Sequence, residues 1–226
     1  MSNNLVLVFD TETTGLFPKN NDSQKKEYPY ITQLSFVVYD VKEKKIVHSY
    51  NQYIKQPEDT DYSSQAFKIT KITKEMCDNG VSIIDALNEF YKYYMNVKHI
   101  VAHNLDFDKQ MIELEILRHF EDLKIDSAGD IWLLFNSTFN KLWNIETHCS
   151  MYMGKYVCKL PNVNSTHKNN NYKLPKLVEL HQHLFKKTPK DLHDAYKDCL
   201  VCLKCFVKMK FNNEIDDKYL NLQYVV

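Results

Sequence analysis

A continuous apolar run from Leu5 to Phe9 ends on Asp10 and reads as a short buried strand, Leu5 to Asp10, with Gly15 supplying the turn that ends the segment beyond it. Residues 17–30 are polar, contain Pro18 and Pro29 and carry lysines, so they form a loop. Ile31 to Tyr39 and Lys45 to Ile54 read as a second and a third strand, with the charged run Lys42-Glu43-Lys44-Lys45 at the hairpin between them. Three successive strands predict a meander. Past a loop from Gln56 to Ser64 the period changes. Ile84, Leu87, Phe90, Tyr91 and Tyr94 fall on one stripe of a helix spanning about Val81 to Met95. His99 to Ala102 is a short strand leading to a helix from about Phe107 to Phe120, on which Met111, Leu114 and Leu117 are spaced as a buried face. Residues 121–146 are expected to be a helical insertion, with Ile131 to Phe135 apolar enough to pack. Pro161 to Lys173, ending in a run of asparagines, is a surface loop. Two helices follow, near Leu174 to Phe185 and Ala195 to Phe211. This order predicts an α/β fold in which helices pack on a mixed sheet.

Composition narrows the class. At 226 residues, with 44% hydrophobic, 26% charged and 13% aromatic positions, the chain can bury one substantial core and is neither disordered nor collagen-like. No linker divides it, so residues 1–226 are expected to form a single domain with a core at about 4–210 and a tail at 211–226. The formal net charge is zero, so any attraction for phosphate must come from a local patch or a bound metal. Arg118 is the only arginine; phosphate contacts would therefore rely on lysine point charges rather than bidentate geometry. No basic, apolar leader opens the chain and no run approaches the roughly 18 apolar residues of a membrane span, which predicts an intracellular protein with no membrane partner. The six cysteines are then expected to be thiols, and the sequons at Asn136 and Asn164 to be unmodified.

Three acidic motifs carry the candidate chemistry. Asp10 and Glu12 lie two apart on an extended segment, so both side chains leave the same face. Two carboxylates so placed repel unless something positive lies between them, and a hard divalent cation, Mg²⁺ or Mn²⁺, meets that need. Alone, an Asp-x-Glu is ordinarily a solvated strand end. The strand His99 to Ala102 aims Asp108, at the start of the next helix, toward the carboxyl edge of the sheet, whereas Asp106 points elsewhere; the plainer role for Asp108 is to complement the helix dipole. His193 and Asp198 are five apart, about 140° on a regular helix, and cannot face one site from within it. A helix starting near Asp194, as N-cap, places His193 on the preceding loop and Asp198 inward on the second turn. A histidine titrating near neutrality could take a proton from water there.

Asp10-Thr11-Glu12-Thr13-Thr14-Gly15-Leu16, His103-Asn104-x-x-Phe107-Asp108 and His193-x-Ala195-x-x-Asp198 resemble, in order, the three motifs of the DEDDh exonucleases, the family of the proofreading epsilon subunit of bacterial DNA polymerase III. The resemblance covers roughly residues 4–210. It implies an RNase H-like fold and 3′ to 5′ exonuclease activity that releases nucleoside 5′-monophosphates. By motif position Asp10, Glu12, Asp108 and Asp198 would hold two Mg²⁺ or Mn²⁺ ions and His193 would be the general base. Thr13 and Leu16 would grip the terminal nucleotide, and Asn104 would sit near the phosphate. Ile69 to Thr73, including Ile72, resembles the family's Gly-Ile-Thr turn near the 3′ end, with Lys71 where glycine is usual. The partners implied are a DNA or RNA 3′ end and a polymerase or other replication protein.

Other readings compete. An exoribonuclease of oligoribonuclease or RNase T type would use the same cage, since discrimination rests on the 2′ hydroxyl; a silent nucleic-acid-binding module would not need all five groups. Cys199, Cys202 and Cys205 spiral across one helix and fit core positions better than a zinc site. Cys149, Cys158 and His167 are a weaker zinc set. In the tail, Ile215, Tyr219, Leu220 and Leu222 either dock a partner or pack on their own domain.

Overall fold

The computed structural model describes residues 4–18, 28–126, 130–162 and 172–225. A five-stranded sheet in the order β3-β2-β1-β4-β5 is its centre. Strands β1 (Leu5–Thr13), β2 (Ile31–Asp40) and β3 (Lys45–Tyr53) form the antiparallel meander. Strands β4 (His99–Ala102) and β5 (Glu146–Cys149) extend it in parallel beyond β1. Between β3 and β4 lie α1 (Gln65–Thr70), α2 (Lys74–Asp78) and α3 (Ile83–Tyr94). Between β4 and β5 lie α4 (Leu105–Arg118), α5 (Phe120–Asp126), a turn of 3-10 helix (Ile131–Leu133) and α6 (Ser137–Leu142). The chain closes with α7 (Ser150–Cys158), α8 (Leu177–Phe185) and α9 (Ala195–Phe211). Among the described residues no helix is long and apolar enough to cross a membrane.

Alternation along β1 divides the core in two. Leu7 and Phe9 join Leu34, Phe36, Phe90, Tyr94 and Met111 beneath α3 and α4. Val6 and Val8 face the other way and join Val37, Val101, Leu203 and Phe206 beneath α9. Each large apolar side chain fully buried this way is worth roughly 1.5–3 kcal/mol, so the two layers fix the register of β1, and with it the aim of Asp10 and Glu12. Cys199, Cys202 and Cys205 belong to the α9 layer and are buried.

Several expectations are corrected. Leu117 is exposed and Leu114 only half-buried; the buried positions of α4 are Leu105, Asp108, Met111, Ile112, Glu115 and Ile116, so of the expected stripe only Met111 lies in the core. The polar Glu115 holds that face because Arg118 Nη1 donates to its Oε1 at 2.8 Å and the Ile31 amide donates at 3.1 Å. Arg118 also donates to the Pro29 and Tyr28 carbonyls and lies 3.8 Å over the Tyr30 ring, so the one arginine clamps α4 to the segment leading into β2. Strand β5 and helix α7 carried no signal: β5 is four residues of mixed polarity, and α7 leaves Tyr152 and Tyr156 exposed. Short α1 and α2 were equally silent. Residues 121–146 are only partly helical. Helix α8 begins at Leu177, because Pro175 and the extended Lys176 precede it. Gly15 lies in a bend, yet a Cβ there would touch nothing, so the turn does not require glycine.

Cys149 caps the N-terminus of the nine-residue α7 and Cys158 is its last residue, about 13 Å apart by helix rise, too far to share a metal. His167 and the Asn164 sequon lie outside the described residues, as do most of the 17–30 and 161–173 loops. The tail packs on its own chain: Ile215 and Leu220 are buried. Asp217 accepts from Lys187 at 2.7 Å, from Tyr224 at 2.5 Å and from the buried Lys204, which also donates to the Ile215 carbonyl at 2.8 Å.

Candidate active site

The carboxyl end of β1 carries Asp10 and Glu12 into a cleft of about 640 Å³. Both continue the Val6–Val8 side of the strand, the side covered by α9, so Asp198, in the first turn of α9 rather than the expected second, meets them. Ligand oxygens of Asp10, Glu12 and Asp198 all lie within 4.8 Å of one another. Asp108 arrives from the opposite layer. Thr11, which points toward α4, donates its amide (3.0 Å) and its hydroxyl (2.8 Å) to Asp108 Oδ1 and fixes that carboxylate beside β1. The four acids thus straddle the sheet edge, two from β1 and one from each flanking helix.

Asp194 caps α9 by accepting from the Lys197 amide at 3.0 Å, so His193 stays outside the helix. Its backbone is left-handed, φ 73°, and its amide donates to Asp198 Oδ2 at 3.2 Å. The imidazole is exposed and lines the same cleft, as do Asn104 and Leu16. Asn104 is itself left-handed at the start of α4, while Asp106 is exposed and outside the cleft lining. Leu16 stands 81% exposed at the rim. Thr13 is buried and donates its hydroxyl to the Gly15 carbonyl at 2.7 Å, shaping the bend that presents Leu16. Ile72 is buried with Phe67 and Cys77 behind a left-handed Lys71, so its side chain is occupied by that packing. Tyr53 packs on this small cluster, none of whose members lines the cleft.

Cleft residues without a sequence signal include Met151 on α7 and Leu174, Pro175 and Lys176 ahead of α8. His103, quoted within its motif but given no task, bridges Ser150 Oγ (2.9 Å) and the Pro175 carbonyl (3.1 Å). Burial pushes its pKa down to about 4, which leaves it neutral.

The electrostatics ask for a cation. Burial, then the charges of the other acids, lift Glu12 to about 8. Asp10 rises well above its ordinary value through burial first and the neighbouring carboxylates second, Asp108 foremost among them. Burial also lifts Asp108 to about 7, against the Thr11 hydrogen bonds, and Asp198 to about 7. Among the described residues no positive side chain offsets the shifts on Asp10 or Glu12. Asp198 Oδ1 is buried without a partner. An orphaned acceptor amid mutually repelling acids is a donor set suited to hard divalent metal.

A stability profile follows. Each acid keeps a folded pKa above its unfolded value of about 4, so the native state holds extra protons. That contribution is full below about pH 4 and is lost as pH rises through 7 and 8. The metal-free protein is expected to lose thermal stability from pH 5 to 8.5, more steeply than Asp10→Asn, and Mg²⁺ or Mn²⁺ is expected to restore it at pH 8 but hardly at pH 5. Parallel melting curves for the two proteins across that range would contradict the electrostatics.

A mixed sheet flanked by helices, with buried acids gathered at the end of its central strand, defines an RNase H-like nuclease. The exonuclease family model (RNase T) matches residues 7–206, and the chain belongs to that family, as a DEDDh, DnaQ-like 3′ to 5′ exonuclease. A DNA polymerase III of PolC type from Thermotoga petrophila is 34% identical over 110 residues, 49% of this chain but only 7% of the relative's length. Among solved structures, the nuclease domain of 3′hExo, a DEDDh family member bound to rAMP, has a TM-score of 0.58 at 11% identity, covering 100% of this chain and 98% of that one. Exonuclease I from Methylocaldum szegediense has a TM-score of 0.63 at 15% identity, covering 96% and 42%. E. coli Exonuclease I in complex with a dA16 oligonucleotide gives 0.57 at 17%, again covering 96% and 42%. At these identities the likeness is one of fold.

Proposed function

We propose that residues 1–226 act as one exonuclease unit that removes nucleotides from single-stranded or frayed DNA 3′ ends and releases nucleoside 5′-monophosphates. The observation that carries this reading is the meeting of Asp10, Glu12 and Asp198 oxygens within 4.8 Å, in a cleft that Asp108 and His193 also line. Asp10, Glu12, Asp108 and Asp198 would hold two Mg²⁺ or Mn²⁺ ions, whose formal charge balances that of the four carboxylates. When bound, such ions supply Lewis-acid activation of water and neutralise charge developing on the phosphodiester.

The chain's own groups do the rest. Thr11 holds one oxygen of Asp108, leaving the other to face the cleft. Asp198 keeps Oδ1 open while the His193 amide fixes Oδ2. The His193 imidazole takes the proton of the attacking water as the water oxygen bonds to phosphorus and the bond from phosphorus to the 3′ oxygen breaks. Leu16 wedges the terminal base against the apolar wall of Phe107, Met151 and Leu174, with Thr13 supporting the bend. Asn104 and Lys176 meet the phosphate, and Ile72 supports the Lys71 turn near the 3′ end. The relation to a DNA polymerase III favours DNA and a replication context. Six unpaired cysteines favour an intracellular setting.

End-labelled DNA and RNA oligomers, incubated with Mg²⁺, Mn²⁺ or chelator, test the proposal. A ladder shrinking from the 3′ end of DNA, only with metal, is expected. Faster shortening of RNA would transfer the assignment to an exoribonuclease, and no shortening of either would end it.

A further inference from the structure

A second convergence of metal-ligating side chains lies away from the carboxylates. His99 Nδ1 and His148 Nε2 are 3.1 Å apart, and Glu146 Oε2 lies 3.4 Å from the first and 3.5 Å from the second. The sheet builds this triangle: the parallel register sets His99 opposite Glu146, and Glu146 and His148, two apart on β5, share a face. Phe206 packs against both imidazoles and Phe211 against that of His99, so the rings are held by α9. His99 pairs with Val6 on β1, four residues before Asp10, which places the triangle about 13 Å along the sheet from the exonuclease carboxylates.

We propose that His99, Glu146 and His148 form a structural site for a divalent transition metal of the zinc class. The three donor atoms lie on a circle of radius about 1.9 Å, so a point roughly 2.0–2.1 Å from all three exists just off their plane, the bond length Zn²⁺ takes with imidazole nitrogen and carboxylate oxygen. Two nitrogens and one carboxylate oxygen suit a borderline cation better than Mg²⁺. Glu146 is half-exposed, leaving room for water as the fourth ligand. Two ammonium groups contest the carboxylate: Lys98 Nζ is 3.6 Å from Oε1, and Lys210 Nζ is 3.5 Å from the ligating Oε2. Lys210 is partly exposed and turns to solvent when the metal arrives. The ion would bind the four-residue β5 to β4 at the edge of the sheet, steadying the strand that leads into Ser150 and the wall of the cleft.

The site is read by adding zinc chloride alone to the metal-free Asp10→Ala protein, in which the exonuclease carboxylates are disabled, with a chromophoric chelator as competitor. One zinc ion per chain is expected to bind, and Co²⁺ in its place to give the strong visible absorption of a tetrahedral centre. His148→Gln and Glu146→Gln, made in that background and checked for an unchanged fold by circular dichroism, are expected to bind zinc at least about 10²-fold more weakly. Lys210→Met is expected to bind it more tightly. Zinc affinity unchanged in His148→Gln, or absent from the Asp10→Ala protein, overturns the assignment.

Discussion

Asp10→Ala is expected to abolish nucleotide release while raising the stability of the metal-free protein at pH 8. Asp10 sits at the centre of the acidic set: Asp108, Asp198, Glu12 and Asp194 all act on it. Removing it deprives the proposed metal pair of a shared ligand, and several kcal/mol of transition-state stabilisation go with it. At about 1.4 kcal/mol per decade that is a loss of about 10³-fold or more. The same change relieves a buried carboxylate raised by four acidic neighbours, so the unfolding midpoint should rise. Activity and stability moving in opposite directions mark a residue kept for chemistry at the expense of the fold. Measured single-turnover hydrolysis equal to that of the unaltered protein would remove the metal role from Asp10.

His193→Ala is expected to reduce hydrolysis by about 10²–10⁴-fold, the usual contribution of a positioned general base. The backbone allows this to be separated from damage to the fold. His193 makes its bond to Asp198 through its amide, which alanine retains, and its imidazole is exposed. Its left-handed φ of 73° is costly for any residue with a Cβ, so His193→Gly relieves strain while deleting the base. Both variants should unfold within a few degrees of the parent and share the same defect. A glycine variant as active as the parent would leave the proton to another acceptor.

The meander, the amphipathic helix α3 and the Asp194 cap of α9 were legible because each is written in consecutive residues: a run of β-branched and aromatic side chains, a 3.6-residue stripe, a carboxylate before a helix. The five candidate catalytic groups were legible for a related reason, since each sits in a short motif at an element's end. Other features carried no such mark. Beyond Met111 the stripe on α4 was misplaced, because Glu115, polar in sequence, is buried under Arg118 and the Ile31 amide. Strand β5 was missed because four residues of mixed polarity show no period.

By itself, then, the chain's sequence marked Asp10, Glu12, Asp108 and Asp198 as candidate metal ligands and the elements that would carry them. Tertiary structure alone decided that Thr11 would pin Asp108 from 97 residues away. It also decided that Leu174 and Lys176 would wall the cleft, that the lone arginine would serve as a clamp, and that two histidines 49 residues apart would meet over Glu146. The physical reason is that local patterns record an element's own period and caps, whereas contacts between distant segments depend on sheet register and helix packing, which no short stretch of chain encodes.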